Sequence, residues 1–429
     1  MLIQSIYTHI FEKNERFYLY NSQSGLFCEI SEDTYKALYN YEYSSIDDET
    51  KNFLSENKVL IPEDEKYLYY LESRSHFLSR NYNEKTLNLV IAPTIQCNFN
   101  CPYCFESKIN DSVMTDEVED KLIDFIKSHK RADSLSITWY GGEPLLAFNR
   151  IKKIWNRIKV EASNLNITYH SIITNGWLIS DEVIKFFAET GLNQIQITLD
   201  GIKENHDTTR CLKNGCSTFD GILQNILKFA KGSQNTQVNI RVNISRKNAD
   251  DYVKIFEVLS KENLQNISVY PGFIRLDTTD KTKMAYESLS SGKDCHDFFK
   301  KTSKVISNTN FMPSTCQSKG CMIDSASSYI IGPEGEIYKC WNDTGHKDRV
   351  VGSIFEDRSA DRVRMYRYLN ESSMFNDPNC KDCLVFPICS GGCGHYRYRN
   401  KFEGANFEVC TRFRDKNILE DSLLLSINS

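Results

Sequence analysis

The middle of the chain alternates short apolar runs with longer segments in which apolar residues recur every three or four positions. The runs predict buried strands and the longer segments predict amphipathic helices. The predicted strands are Leu87–Thr94, Leu135–Tyr140, Ile167–Thr174, Gln194–Leu199, Gln237–Ile244 and Asn266–Tyr270. The helices between them are Thr115–His129, Phe148–Ala162, Ser180–Thr190, Phe219–Ala230 and Asp250–Glu262. This alternation predicts a parallel sheet with right-handed crossovers, an open or partial α/β barrel whose site lies at the carboxyl ends of the strands.

The first 85 residues have a different pattern and predict a separate module. Arg16–Asn21 and Gly25–Ile30 alternate as two short strands around a turn. Ser31 then caps a helix with an acidic first turn, and a second helix follows near Asp47–Asn57. A hairpin followed by helices is winged-helix-like, so we expect such a module at residues 1–85.

A loop directly after the first predicted barrel strand carries three cysteines, Cys97, Cys101 and Cys104. Three thiolates in so short a loop suit a soft metal or an iron–sulfur cluster. They suit a structural zinc ion less well, because such a site takes four protein ligands and usually builds them from paired motifs. A four-iron cluster held by this loop alone would keep one iron open for a small molecule.

The composition limits the possible partners and cellular compartment of the protein. At 429 residues the chain is long enough for two or three domains. Its net charge of −5 gives no reason to expect nucleic acid as a partner, and no apolar run is long enough to span a bilayer. The N-terminus lacks the pattern of a secretory signal. We therefore expect a cytoplasmic protein, in which fifteen cysteines indicate metal or redox chemistry in place of disulfides.

The cysteine loop, with Tyr103 before its last cysteine, resembles the signature of radical S-adenosylmethionine (radical SAM) enzymes. Gly141-Gly142-Glu143-Pro144, at the end of the second barrel strand, resembles the motif by which that family holds the amino group of SAM. The resemblance implies a partial (β/α)6 TIM-like barrel at residues 86–309. For any single polar residue at a strand end, the alternative interpretation is that it caps a turn. By resemblance the SAM-binding residues are Tyr103, Gly141, Gly142, Glu143, Thr174, Asn175, Asp200, Arg210 and Asn243.

Eight further cysteines lie between residues 316 and 410. Their spacing resembles the SPASM domain, a cysteine-rich extension of radical SAM enzymes that holds auxiliary clusters, and we assign it to residues 310–429. Two zinc sites are the alternative. The resemblance implies three 4Fe–4S clusters in all: one at the cysteine loop and two auxiliary ones. It implies ligands Cys316, Cys321, Cys340 and Cys393 for the first auxiliary cluster, and Cys380, Cys383, Cys389 and Cys410 for the second.

The resemblance implies an enzyme that cleaves SAM to a 5′-deoxyadenosyl radical, with the cluster chemistry supplied by the cofactor and aimed by the protein. The leading hypothesis is a maturase of a ribosomally made peptide, installing a thioether or a C–C or C–O crosslink. The N-terminal module resembles precursor-recognition domains and would bind a leader segment as an added strand. We expect a flavodoxin or ferredoxin as reductant, and neither nucleic acid nor membrane as partner.

Two alternatives stay open. Anaerobic sulfatase maturases, which form formylglycine, share the barrel and the eight cysteines, but carry an aspartate directly after the cysteine equivalent to Cys340. Here that position is Trp341, so Asp343 becomes the candidate catalytic base. Those enzymes also normally begin close to the cysteine loop. A non-enzymatic iron–sulfur electron carrier would need neither SAM nor Gly141-Gly142-Glu143-Pro144.

Overall fold

The structure is a computed structural model of the chain. It describes residues 1–104, 106, 111–274, 288–289, 291–306, 320–355, 361–389 and 391–427. Among the cysteines assigned above, Cys316 lies outside these residues. Within the part described, no helix is both long and apolar enough to cross a membrane.

The N-terminal segment contains a three-stranded antiparallel sheet followed by helices. Its strands are β1 (Leu2–Gln4), β2 (Thr8–Lys13), β3 (Arg16–Asn21), β4 (Phe27–Ile30) and β5 (Leu60–Pro62), and its helices are α1 (Glu32–Tyr39), α2 (Asp48–Glu56) and α3 (Leu68–Asn81). The side chains of Ser31 and Asp47 cap α1 and α2, as their positions predict. The sheet order is β2-β3-β4, so β4 is an edge strand; β1 pairs separately with β5.

The central segment is the predicted alternation of strands and helices. Its strands are β6 (Thr86–Ile91), β7 (Ser134–Trp139), β8 (Asn166–Thr174), β9 (Gln194–Leu199), β10 (Gln237–Ile244) and β11 (Ile267–Phe273). Its helices are α4 (Asp116–Ser128), α5 (Phe148–Glu161), α6 (Asp181–Glu189), α7 (Lys203–Thr209), α8 (Phe219–Gly232) and α9 (Asp251–Ser260). Neighbouring strands are parallel throughout, which confirms the mixed α/β class with a mainly parallel sheet.

The C-terminal segment extends the same sheet. It contains α10 (Gly292–Thr302), β12 (Ser328–Ile331), β13 (Glu336–Tyr338), β14 (Gly352–Ser353), α11 (Arg362–Glu371), α12 (Pro378–Lys381), α13 (Gly394–Phe402) and α14 (Lys416–Ile427). Strand β12 pairs in parallel with β6, and β13 and β14 follow antiparallel, giving the order β11-β10-β9-β8-β7-β6-β12-β13-β14. This pairing satisfies backbone groups that an edge strand would leave open.

The contacts divide the chain into two compact units. The terminal unit comprises Met1–Tyr82, Ser291–Ser325 and Arg367–Ser429; the barrel unit comprises Asn83–Ser290 and Ala326–Tyr366. In the terminal unit, aromatic residues of β2 and β3 pack against apolar residues of segments 385–388 and 413–423. Residues Tyr70 and Phe77 of α3 likewise pack against Phe375 and Phe386. The two ends of the chain therefore share their hydrophobic cores.

Candidate functional site

The cysteine loop, residues 97–104, follows the carboxyl end of β6 and is held against the end of β7 by close backbone contacts. Glycine is required at Gly141, which has a φ of +119°, because a Cβ there would lie 2.2 Å from the carbonyl oxygen of Thr94. A Cβ on Gly142 would lie 2.2 Å from the carbonyl oxygen of Ile95. These two glycines therefore allow the segment that leads into the cysteine loop to approach closely. Their part in binding SAM stays a prediction.

Glu143 is fully buried, and its carboxylate joins the ends of two strands. It accepts hydrogen bonds from the Thr174 hydroxyl and the Asn175 backbone N–H, each at 2.7 Å, and from the Leu145 N–H at 3.0 Å. Burial raises the pKa of Glu143, and these donors act against that rise. Thus Glu143, Thr174 and Asn175 meet at the strand ends as predicted, with the carboxylate already engaged by the protein.

A second polar cluster lies at the ends of β9 and β10 and centres on Tyr103. The Tyr103 hydroxyl donates to Asp200 Oδ2 at 2.6 Å and accepts from Arg210 and Asn243, each at 3.1 Å. Asn243 also donates to Asp200 Oδ1 at 3.2 Å. The Arg210 Nε lies buried with no hydrogen-bond partner in the described residues, a donor suited to an anionic ligand group. The four predicted residues therefore converge at the barrel mouth.

The segment 211–216 forms a small loop that pairs with the cysteine loop. Phe99 and Leu212 form an antiparallel bridge, and the Asn100 N–H donates to the Cys211 carbonyl at 3.3 Å. The Lys213 N–H donates to the Asn98 carbonyl at 3.0 Å. No local sequence pattern predicts this pairing. It gives the cysteine loop a second backbone partner besides the segment after β7.

A buried carboxyl group that the sequence analysis missed lies two residues after the last loop cysteine. Burial raises the pKa of Glu106 to about 8, and its side chain is hydrogen-bonded to Tyr140. The Tyr140 ring packs edge-on against Trp341, with ring centroids 4.7 Å apart. In the sequence, only the position of Glu106 two residues after Cys104 indicates a role at the site. Nothing in the local pattern shows that Glu106 is buried.

The thiols of the cysteine loop are largely buried. Burial raises the pKa of Cys97 to about 11 and of Cys104 to about 12 when no metal is bound. Positive metal charge favours the thiolate form, so this donor set suits a cluster that supplies that charge. Three thiols on one loop, with an unpartnered guanidinium nitrogen nearby, fit a cluster with one open iron and a chelating anionic ligand.

A second cysteine group lies in the terminal unit. One cavity, called here the four-cysteine cavity, is lined by Cys380, Cys383, Cys389 and Cys410. Two guanidinium groups reach it: Arg397 Nη2 lies 3.6 Å from Cys380 Sγ, and Arg414 Nη1 lies 3.0 Å from Cys410 Sγ. Four thiols around one cavity fit a cluster whose irons are all protein-ligated.

The four cysteines predicted to bind the first auxiliary cluster do not all lie in one described unit. Cys316 lies outside the described residues, Cys321 and Cys393 belong to the terminal unit, and Cys340 belongs to the barrel unit. Cys393 is among the groups that act electrostatically on Cys321, so these two thiols are near one another. The ligand set as a whole stays a prediction.

Asp343, the predicted base, lies fully buried in the barrel unit, at the end of the short 3₁₀ turn Trp341–Asp343 that follows β13 and Cys340. Its Oδ1 accepts from Arg349 Nη1 at 3.3 Å in a buried ion pair. A carboxylate paired with a guanidinium is a weaker proton acceptor than a free one. A catalytic role for Asp343 therefore stays a prediction, and it requires that this pair open.

Comparison with known proteins gives the site a context. Residues 91–274 match the sequence profile of the Radical SAM superfamily. The chain is 25% identical over 371 residues to a cysteine-type anaerobic sulfatase-maturating enzyme of Clostridium novyi (strain NT), covering 78% of this chain and 96% of that one. It is 24% identical over 459 residues to the radical SAM cyclopropyl synthase TigE of Paramaledivibacter caminithermalis, covering 91% and 89%.

Among solved structures, one whose match extends over most of the chain is Streptococcus suis SuiB bound to the precursor peptide SuiA. The TM-score is 0.54 at 15% identity, covering 94% of this chain and 97% of that one. A likeness at this identity shows a shared fold. The profile match covers residues 91–274, whereas the SuiB match covers 94% of this chain, so the shared fold extends beyond the barrel.

Proposed function

Taking the chain as a member of the radical SAM superfamily with SPASM-type relatives, we propose that it matures a ribosomally made peptide. The proposed reaction forms a thioether or a C–C or C–O crosslink after hydrogen abstraction by a 5′-deoxyadenosyl radical. The proposal includes three 4Fe–4S clusters, a flavodoxin or ferredoxin as reductant, and a cytoplasmic setting, since such clusters need a reducing compartment.

In this proposal the cysteine loop binds the iron–sulfur cluster, and the two polar clusters bind SAM or position the groups that bind it. Cys97, Cys101 and Cys104 would bind the cluster, which supplies the electron that cleaves SAM. The free Arg210 Nε is a donor for the SAM carboxylate. Glu143 fixes the ends of β7 and β8 relative to each other, so the backbone groups of Gly141 and Gly142 are held rigidly for the SAM amino group.

The observation that carries the peptide assignment is the open edge of β4. In the β3–β4 ladder the Asn21 N–H donates to the Leu26 carbonyl, so by alternation the backbone N–H and C=O groups of Cys28 and Ile30 point toward β3. The backbone groups of Phe27 and Glu29 then face away from the sheet, and β4 has no further strand partner in the described residues. Such an edge is suited to an added leader strand. The solved SuiB complex with a precursor peptide supports this assignment.

The direct test is anaerobic reconstitution with dithionite, SAM and a short peptide encoded beside this gene. We expect 5′-deoxyadenosine and a peptide that has lost hydrogen, located by tandem mass spectrometry. A protein that makes no 5′-deoxyadenosine would be an electron carrier. A cysteine or serine converted to formylglycine, with no crosslink, would contradict the peptide-maturase assignment.

The β4 edge provides a sharper test, the substitution Glu29→Pro. Proline removes the outward N–H that a leader strand would use, while the ladder to β3 keeps its hydrogen bonds. We expect leader affinity, measured by fluorescence anisotropy, to fall by about tenfold or more, the loss of one or two hydrogen bonds. Glu29→Ala keeps the N–H and is the matched control. Equal affinity in both variants would show that the leader binds elsewhere.

A sulfatase-maturase function is the second candidate, favoured by the match to the Clostridium novyi enzyme. That match covers 78% of this chain, whereas the TigE match covers 91%. Trp341 replaces the aspartate expected after Cys340, and the nearby Asp343 is paired with Arg349. Asp343→Asn separates the roles: if peptide modification is unchanged while folding and cluster content persist, Asp343 is not the base.

A further inference from the structure

The four-cysteine cavity has apolar and charged groups around it. Aromatic residues of the N-terminal segment and of segment 375–386, among them Tyr7, Tyr70 and Phe386, pack against Cys380 and Cys383, and Phe386 also lines the cavity. This packing shields those two thiols from water. Burial disfavours the more highly charged state of any group, and a cluster with four thiolates becomes more negative when it takes up an electron. Taken alone, the aromatic packing therefore lowers the reduction potential of a cluster in this cavity.

The cavity also carries fixed positive charge. The Arg397 guanidinium is held at three points: Nε donates to the Gly391 carbonyl at 2.7 Å, Nη1 to Asp377 Oδ2 at 2.6 Å, and Nη2 points at Cys380 Sγ at 3.6 Å. Arg414, which is exposed, donates from Nη1 to Cys410 Sγ at 3.0 Å. Arginine keeps its proton at all relevant pH values, so both charges are permanent.

We propose that Arg397 and Arg414 are positioning residues that raise the reduction potential of the cluster in the four-cysteine cavity and so suit it to accept an electron. N–H···S hydrogen bonds and nearby positive charge stabilise the reduced form, which carries the extra negative charge. One electron enters the cluster, no bond forms or breaks, and neither guanidinium loses a proton. The proposal rests on the proposed function, because it requires a cluster at these cysteines.

The two arginines act in different ways. Arg397 is paired with Asp377, so its net charge is offset and its effect comes mainly from the direction of its N–H group. Replacing it also leaves Asp377 unpaired beside the cluster, which adds negative charge. Arg414 lies at the surface, where salt screens its charge. We therefore expect a larger effect from Arg397 and a smaller, salt-dependent one from Arg414.

The experiment is a redox titration of the full-length, anaerobically reconstituted enzyme, followed by electron paramagnetic resonance. The component that disappears in Cys389→Ala, together with about four iron per chain, belongs to the four-cysteine cavity. We expect its midpoint potential to fall in Arg397→Gln and to recover in part in Arg397→Lys. The double variant Arg397→Gln/Asp377→Asn should recover the part of the shift that comes from the unpaired Asp377 charge.

Arg399→Gln is the matched control, because Arg399 lies on the same helix and donates to Glu403 while its guanidinium stacks on Phe407. Its midpoint should equal that of the unaltered enzyme. An unchanged midpoint in both Arg397→Gln and Arg414→Gln would overturn the proposal. Should Arg397→Gln lose iron, the exposed Arg414→Gln decides, since it leaves the buried pair intact. If Cys389→Ala removes neither iron nor a component, the predicted second auxiliary cluster is wrong, and this inference falls with it.

Discussion

The cysteine loop of the barrel unit and the four-cysteine cavity of the terminal unit offer the same ligand atoms in opposite electrostatic settings. Three carboxyl groups act on the loop thiols, Glu106, Glu143 and Asp200, against one guanidinium, Arg210. Burial raises the pKa of Glu106 to about 8, so this group adds little negative charge near pH 7. The cavity has two guanidiniums, Arg397 and Arg414, against the single carboxylate of Asp377.

The difference shows that thiolate ligands alone do not define a cluster's task. A negative setting disfavours the reduced form and gives a strong electron donor, as SAM cleavage requires, whereas a positive setting gives an acceptor. The loop also takes its three cysteines from one short segment, while four cysteines line the cavity. In this comparison the neighbouring charges carry the functional information.

The largest expected effect separates the two regions by their cysteines. Cys97→Ala/Cys101→Ala/Cys104→Ala should abolish 5′-deoxyadenosine formation, because no cluster would be left to cleave SAM, while the iron of the auxiliary sites stays. Cys389→Ala should lose about four iron per chain and still form 5′-deoxyadenosine in the absence of peptide. Iron analysis and liquid chromatography of the nucleoside check both variants. The reverse pattern would exchange the roles assigned to the two regions.

A smaller effect is expected from Glu143→Gln. Its carboxylate accepts the Asn175 N–H at 2.7 Å, and an amide nitrogen in that place would confront donor with donor. We expect a loss of about 1–3 kcal/mol in the free energy of unfolding and weaker SAM binding, measured by calorimetry. Thr174→Val removes the hydroxyl that donates to Glu143 and accepts from the Gly176 N–H, and should cost about 1 kcal/mol. Equal effects would mean that the backbone donor is unimportant.

The last effect concerns the acid stability of the barrel unit. Burial lowers the pKa of His170 and of His206 from 6.5 to about 3. The unfolded chain therefore binds protons first as the pH falls, and the barrel loses stability between about pH 6.5 and pH 3, by up to about 1.4 kcal/mol per pH unit for each histidine. Urea unfolding followed by tryptophan fluorescence checks this, since Trp139 and Trp155 both contact His170. In His170→Gln the slope with pH should be shallower.

The barrel was predictable from the sequence because its signals are local. The strands at Gln194–Leu199 and Gln237–Ile244 match residue for residue, since apolar alternation and flanking turns fix them. Strand β2 and helix α3 were not predicted, although the flanking hairpin was. The parallel pairing of β12 with β6 joins residues some 240 positions apart, as in Ser328 with Asn88, and no local pattern specifies such a partner.

The site divides in the same way. The convergence of Tyr103, Asp200, Arg210 and Asn243 follows from their places at strand ends, so the sequence was enough to bring them together. Glu106, Arg397 and Arg414 carry no motif, and their importance comes from burial and from three-dimensional proximity to thiols. The sequence also did not show why a glycine is needed at Gly141, since the close contact is with Thr94 of the neighbouring chain segment.

The shared cores at the two ends of the chain constrain its synthesis. Leu419 and Leu423 pack in one cluster with Phe11, Tyr18 and Tyr20, so those aromatic residues stay uncovered until the segment that contains both leucines has been synthesised. The barrel's own core residues are complete much earlier. A nascent chain would therefore carry a hydrophobic N-terminal sheet through most of its elongation. We expect that chaperones protect this sheet during synthesis and that C-terminal truncations give low yields.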